Sequence, residues 1–355
     1  FHCPAFPQEA YLADDTTEIT ESILAWQQDC PYHVRVRLTE GQYVSIEYPS
    51  DRHLIVDPRL NDFKNNIRGL MGTIDIPDMD FLLSLHDTGP TCKDNRTGVL
   101  SHDIDLKETA NKSPEQIAKL LQSNLIPPRQ VEWHYNQRTL MLNPIRWRDK
   151  MAKAVFRGST SGVMVDKSPA PEWTAETIQN NWRVKAAVIA NQHQDILDVK
   201  ITQIVQCDGG ARSVVQRMGV MGNRLDKDEQ QRYKMLLVFE GNSLSDRLLE
   251  EMAGGSAILR QDTKAIDWHT TLLKPWVNYV PIKRDLSDLV EKVQWGIAHD
   301  HELRAIAWRG RRLAMRILNS NLDETYYCHF AQLAMAYSKR LKFKVQRGPD
   351  AASIC

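Results

Sequence analysis

Apolar and polar residues alternate along YHVRVRLTEGQYVSIEYP (32–49) around Glu40-Gly41, a pattern that predicts a β-hairpin. RLNDFKNNIRGLMG (59–72) reads as a short helix. MDFLLSLHD (79–87) is an apolar run ending at His86-Asp87, before the breaker Thr88-Gly89-Pro90, and predicts a buried strand. SPEQIAKLLQSN (113–124) opens on a Ser-x-x-Gln capping box and keeps a helical period.

From DKMAKAVFRGSTSG (149–162) onward the pattern becomes strand, glycine turn, helix, strand. Strands are expected at 154–156, 197–205, 232–239, 256–260 and 276–282. Helices are expected over 174–192, 245–255, 285–318 and 323–343. Alternating β and α elements imply an α/β fold with a parallel, doubly wound sheet, and the change of region falls near residues 125–130.

At 355 residues the chain can carry two such domains, each with its own core. A formal net charge of zero excludes nucleic-acid binding by bulk electrostatics. The basic run RAIAWRGRRLAMR (304–316) follows Asp300 and Glu302 and reads as a solvated helix face. No stretch reaches the roughly 18 apolar residues of a membrane span. Six cysteines without zinc spacing, and sequons at Asn95 and Asn111, favour a secretory lumen and a few disulfides. The opening FHCPAFPQEAYLADD is neither a signal peptide nor a methionine start, so a targeting or anchor segment is expected to be missing from it.

The stretch LLVFEGNSLSDRLLEEMAGGSAIL (236–259) places Arg247 in the first turn of a predicted helix, where a cation is normally unfavourable. A diphosphate lying at that turn removes the conflict, with Gly241 admitting the backbone and Asn242, Ser243 and Ser245 supplying donors. A capping box, Ser243-x-x-Asp246, with Arg247 merely solvated, fits the same residues. VFRGSTSG repeats the layout: Arg157-Gly158, then Ser159, Thr160, Ser161 and Gly162. It has neither the lysine of a P-loop nor Rossmann glycine spacing. Two anion-cradling turns favour a nucleotide diphosphate. Asp87, ending its strand before a Gly-Pro break, is a candidate general base, with turn capping as the alternative. Asp78-Met79-Asp80 and Asp103-Ile104-Asp105 could hold a divalent cation, but capping explains the first more easily.

IPDMDFLLSLHD (76–87), AVFRGSTSG (154–162), RYKMLLVFEGNSLSDRLLEEMAGGSAIL (232–259) and LKPWVNYVPIKRDLSDL (273–289), in this order and spacing, resemble glycosyltransferase family 90. That family includes Rumi-type protein O-glucosyltransferases and fungal capsule-associated xylosyltransferases. The resemblance implies a glycosyltransferase B fold, with two Rossmann-like domains facing a central cleft. It places an acceptor-side domain over 1–127, joined by the C-terminal segment 323–355, and a UDP-sugar donor domain over 128–322. It implies an inverting reaction with no metal or other cofactor, a UDP-sugar donor, and a glycan or protein acceptor in the Golgi or endoplasmic reticulum. Asp87 falls on the family's base, and Arg183 and Arg247 on its diphosphate-binding arginines. Arg157, Gly158, Ser159, Ser161, Gly241, Asn242, Ser243, Leu244 and Ser245 complete the expected donor site. FRGSTSG and EGNSLSDR resemble the xylosyltransferase branch more closely, which points to xylose. A UDP-glucose-dependent protein O-glucosyltransferase is the alternative, and a non-catalytic UDP-sugar-binding protein a second one. The resemblance also implies a disulfide from Cys328 to Cys3 or Cys30.

Overall fold

The computed structural model describes residues 33–48, 58–71, 75–85, 99–101, 104–105, 144–162, 174–207, 209–241, 245, 247–263, 265–266, 272–319, 330–331, 333–335, 337–348 and 352–353. In chain order its strands are β1 (His33–Thr39), β2 (Tyr43–Glu47), β3 (Met79–Ser84), β4 (Val99–Ser101), β5 (Ile104–Asp105), β6 (Met151–Ser159), β7 (Leu197–Gln203), β8 (Tyr233–Val238), β9 (Ala257–Gln261), β10 (Ala265–Ile266), β11 (Val280–Ile282) and β12 (Ala352–Ser353). Its helices are α1 (Pro58–Met71), α2 (Trp182–Gln192), α3 (Gly209–Arg217), α4 (Lys227–Gln230), α5 (Leu248–Ala253), α6 (Leu289–Ala298) and α7 (Asp300–Asn319). The chain divides into two compact units, one of Phe1–Gln130, Lys264–Thr270 and Ser320–Cys355, the other of Val131–Thr263 and Thr271–Asn319.

In the first unit a mixed sheet runs β12-β2-β1-β3-β4, with only the β3–β4 pair parallel among these strands. Strand alternation sends Val34, Val36 and Leu38 into the core with Phe63 and Phe81. Arg35 and Arg37 carry the opposite face, where both bond the buried Asp80 of β3. Asp78 accepts the backbone N–H of Glu40 at 2.7 Å. The first Asp-x-Asp pair thus has partners within the unit. Asp103 lies outside the described residues. Phe330, Leu333, Ala334 and Tyr337 recur at helical spacing and are buried in the same core, and the Tyr337 hydroxyl donates to the Asp80 carbonyl.

The second unit holds a five-stranded sheet in the order β7-β6-β8-β9-β11, parallel at every pairing. Numbered along the chain within the unit, that order is 2-1-3-4-5, so the winding reverses between β6 and β8. The expected α/β class with a parallel doubly wound sheet is what the structure has. The strands are apolar runs because both faces are covered: Ala154, Phe156, Val199, Met235, Leu237, Ala257 and Leu259 are all buried. Helix α2 packs on β7, α6 on β6 and β11, and α7 on α5 and β9.

Several elements differ in extent from their sequence expectation. The helix expected over 285–318 is two helices broken at His299, which leaves the α-region with φ −115° and ψ 54°. The helix expected from 174 is a 3₁₀ turn, Thr177–Asn180, followed by α2. The strand expected over 276–282 is a turn followed by three strand residues. Helix α3 was not expected from the pattern. The helix expected over 113–124 and five of the six cysteines, Cys328 included, lie outside the described residues. Among the described residues no helix is long and apolar enough to cross a membrane.

At the N-terminal ends of β6, β8 and β9, the Lys150 ammonium is 5% exposed and donates to the Gln231 carbonyl and Ser256 Oγ, both at 2.7 Å. Burial, with Arg311 nearby, pulls its pKa down from 10.5 to about 7. The folded state therefore binds this proton less tightly than the unfolded chain. The cost of burying the charge is fully present below about pH 7 and is relieved as pH rises toward 10.5. Chemical denaturation of wild type and Lys150→Met across pH 6–10 is expected to show the stability difference moving in the wild type's favour as pH rises. A difference independent of pH contradicts this.

Candidate functional site

In an open parallel sheet, ligands bind beyond the carboxyl ends of the strands at the point where the winding reverses. Here that point lies between the ends of β6 and β8. Phe156 and Gly158 fall on the same side of β6, and a Cβ on Gly158 would stand 2.6 Å from Cζ of the Phe156 ring. Only glycine lets that ring lie along the strand end. Beyond it the chain is clamped. The Thr160 hydroxyl donates to the Val205 carbonyl at 2.7 Å and accepts the Val205 N–H at 2.9 Å. The Asn181 amide donates to the Thr160 carbonyl at 2.8 Å, while its Oδ1 caps α2 by accepting the N–H groups of Arg183 and Val184. One side chain therefore fixes the β6 turn to the start of α2, and with it Arg183.

Arg183 is 7% exposed. Its Nε donates to the Glu240 carbonyl at 3.1 Å, and its Nη1 to Ser161 Oγ at 2.5 Å and the Ser159 carbonyl at 3.3 Å. It thus ties the end of β6 to the end of β8 through neutral oxygens. A Cβ on Gly241 would lie 2.9 Å from Arg183 Nη2, so a larger residue there would displace that guanidinium. Gly162, with φ +126°, comes against the Gly241 carbonyl from the other turn. Glu240 is held by Gln261, which accepts its N–H, and by an ion pair with Arg284 at 2.7 Å.

Arg247 occupies the N-cap position of α5, four residues after the Ser243 that the capping-box alternative would need there. Its Nη1 donates to the Arg157 carbonyl at 2.8 Å and stands 3.6 Å from Glu251 Oε1. Its guanidinium carbon is 5.4 Å from the centroid of the Phe156 ring, and that of Arg183 is 5.7 Å from the same centroid. Two cations share one ring. Burial and the charge of Arg247 pull the Arg183 pKa down to about 10, while Glu251 opposes them. Burial pushes the Glu251 carboxyl up to about 7, against the pull of Arg247. Two arginines with one half-committed carboxylate leave a local excess of positive charge suited to an anion.

The structure thus brings together Gly158, Ser159, Ser161, Arg183, Gly241 and Arg247 from the expected set. Ser245 lies on the same turn, its carbonyl accepting the N–H of Leu248. Arg157 is different: only its carbonyl faces Arg247. Its guanidinium bonds Asp198 at 2.7 Å and the carbonyls of Asp198 and Asn223. Asp87, Asn242, Ser243 and Leu244 lie outside the described residues. Sequence reasoning missed Asn181, Phe156 and Glu251. Asn181 stood at an ordinary cap position before a helical run, and Glu251 stood one helical turn after Arg247. Among the described residues no three His, Cys, Asp or Glu side chains are grouped to hold a metal.

A doubly wound sheet with an arginine-lined cradle at its switch point defines an α/β protein with a local excess of positive charge where such folds place their ligands. The chain belongs to glycosyl transferase family 90, whose model matches residues 129–355. Over 133 residues it is 33% identical to protein O-glucosyltransferase 3 of Homo sapiens, covering 35% of this chain and 26% of that protein. Over 176 residues it is 35% identical to uncharacterized protein 035R of Invertebrate iridescent virus 3, covering 45% of this chain and 14% of that protein. The matched part of the chain thus spans a small fraction of these relatives' length. Among solved structures, S. aureus TarM in complex with Fondaparinux, alpha-GlcNAc-glycerol and UDP aligns over 68% of this chain and 44% of its own, at 11% identity and a TM-score of 0.41.

Asn181 carries three hydrogen bonds that fix the β6 turn to the start of α2. Asn181→Ala is expected to lower stability by about 1–2 kcal/mol in a denaturant titration. A variant as stable as the wild type contradicts the assigned role.

Proposed function

We propose that this chain is a UDP-sugar-dependent glycosyltransferase whose second unit holds the donor's diphosphate between Arg183 and Arg247. The observation that carries this is the pair of guanidinium groups over Phe156, at the carboxyl ends of β6 and β8, with Glu251, 3.6 Å from Arg247, as the one carboxylate paired with either of them among the described residues. The Ser159–Ser161 turn, Gly241 and Ser245 border the cradle, and Asn242, Ser243 and Leu244 are further donor-binding residues on the family resemblance. Asp87 removes the proton from an acceptor hydroxyl as that oxygen attacks the anomeric carbon, on the face opposite the UDP. The reaction inverts the anomeric centre. Negative charge accumulates on the departing diphosphate, and the two arginines stabilise it more in the transition state than in the ground state. They supply the positive charge that a divalent metal would otherwise provide, so no metal is required.

The donor sugar we propose is xylose, on the likeness of FRGSTSG and EGNSLSDR to the xylosyltransferase branch. UDP-glucose is the second reading, favoured by relatives named protein O-glucosyltransferase. The acceptor is a glycan or protein hydroxyl. The cysteines and the two sequons support a lumenal site of action.

A UDP-release assay over a panel of UDP-sugars is expected to give turnover with UDP-xylose that survives EDTA. Turnover with UDP-glucose alone establishes the second reading, and a rate lost to EDTA and restored by Mn²⁺ contradicts metal independence. Asp87→Asn is expected to cost roughly 10²–10⁴ in rate with UDP affinity nearly unchanged. Arg247→Ala should instead weaken UDP binding by about tenfold or more, as a charge-assisted hydrogen bond is lost. Calorimetry of UDP binding to both variants checks the contrast. Wild-type UDP affinity in Arg247→Ala contradicts the placement of the donor site.

A further inference from the structure

Glu251 is an unusual partner for Arg247. The pair is 3.6 Å apart, too long for a hydrogen bond. Glu251 is only 9% exposed, and its second carboxylate oxygen, Oε2, is buried and accepts no hydrogen bond among the described residues. A carboxylate placed for structural pairing would use both oxygens; Asp80 in the first unit does so with two arginines. Among the described residues the other charges around Glu251 are few. Its neighbour Glu250 is paired with Lys227 from α4. Arg183, from α2, reaches the cluster across the Phe156 ring. From α7, Arg311 bonds the Ala253 carbonyl at the far end of α5. From the turn before β8, Gln231 donates to the Glu251 backbone carbonyl and brings no charge.

We propose that Glu251 is a proton-linked positioning residue of the diphosphate site, an inference that rests on the donor reading above. Ionised, it is the counter-charge that holds Arg247 while the site is empty. When the diphosphate binds, Arg247 gains a closer anion, and a second negative charge arrives beside a buried carboxylate. Both effects favour the neutral carboxyl, so Glu251 takes up one proton from solvent. Burial already pushes its carboxyl up to about 7. Below that pH it is protonated before the ligand arrives and adds no pH dependence. Above it, binding must carry a proton, and affinity falls by up to about tenfold per pH unit until the pH passes the pKa of the occupied state.

The test is calorimetric titration of UDP-glucose and UDP-xylose at pH 6 and pH 8, each in two buffers of different ionisation enthalpy. Both ligands carry a diphosphate esterified at each end. They therefore lack the terminal phosphate that titrates near pH 6 and would blur the result. Wild type is expected to take up a substantial fraction of a proton at pH 8 and to bind several-fold more weakly than at pH 6. E251Q is expected to take up none and to bind equally at the two pH values. Binding without proton uptake in the wild type, or uptake that persists in E251Q, overturns the role of Glu251 and leaves the donor site standing. Failure of the wild type to bind either sugar nucleotide at pH 6 overturns the donor reading, and this inference with it.

Discussion

Two guanidinium groups lean on one phenylalanine ring, and the repulsion between them is the interaction around which the end of the second unit is organised. Arg183 and Arg247 reach Phe156 from different helices. The ring lies along the strand end only because Gly158 has no side chain. Asn181 fixes Arg183 to the β6 turn, and Gly241 lies directly against its guanidinium. Like charges held this close in a partly desolvated place are costly unless a counter-ion joins them. Among the described residues they have one carboxylate, loosely.

Other arginines in the same chain show what a structural ion pair looks like here. Arg35 with Asp80, Arg157 with Asp198, and Arg284 with Glu240 each have a carboxylate oxygen at 2.7 Å. Arg183 donates to the neutral oxygens of Glu240, Ser159, Ser161 and Phe239, and Arg247 has its carboxylate at 3.6 Å. In the proposed reading, the difference separates arginines that are finished from arginines that await a ligand. It also removes Arg157 from the second group, although it sits in the same motif.

Much of this was legible in the sequence. Apolar runs marked β6, β8 and β9, because a parallel sheet buries both faces of its strands. Glycine turns after two of those runs marked the switch point, and the expected first-turn Arg247, found at the N-cap, is the residue that suggested an anion there. What was not legible depended on direction or on single residues. Strand alternation places Arg157 opposite Phe156 and Gly158, a signal present in FRG that motif matching passes over. The break at His299 leaves the helical period almost intact, so periodicity alone joins α6 to α7; the acidic Asp300 and Glu302 opening α7 were the available sign. Helix α3 opens on two glycines and is short, which hides the Ala211, Val214, Val215 spacing. Glu251 reads as one more charged helix residue until its burial is known.

The most direct measurement is a crystal structure of the chain with UDP bound. The account places diphosphate oxygens within hydrogen-bond distance of both Arg183 and Arg247, beyond the carboxyl ends of β6 and β8. A diphosphate that touches neither arginine, or that binds at the opposite edge of the sheet, contradicts it.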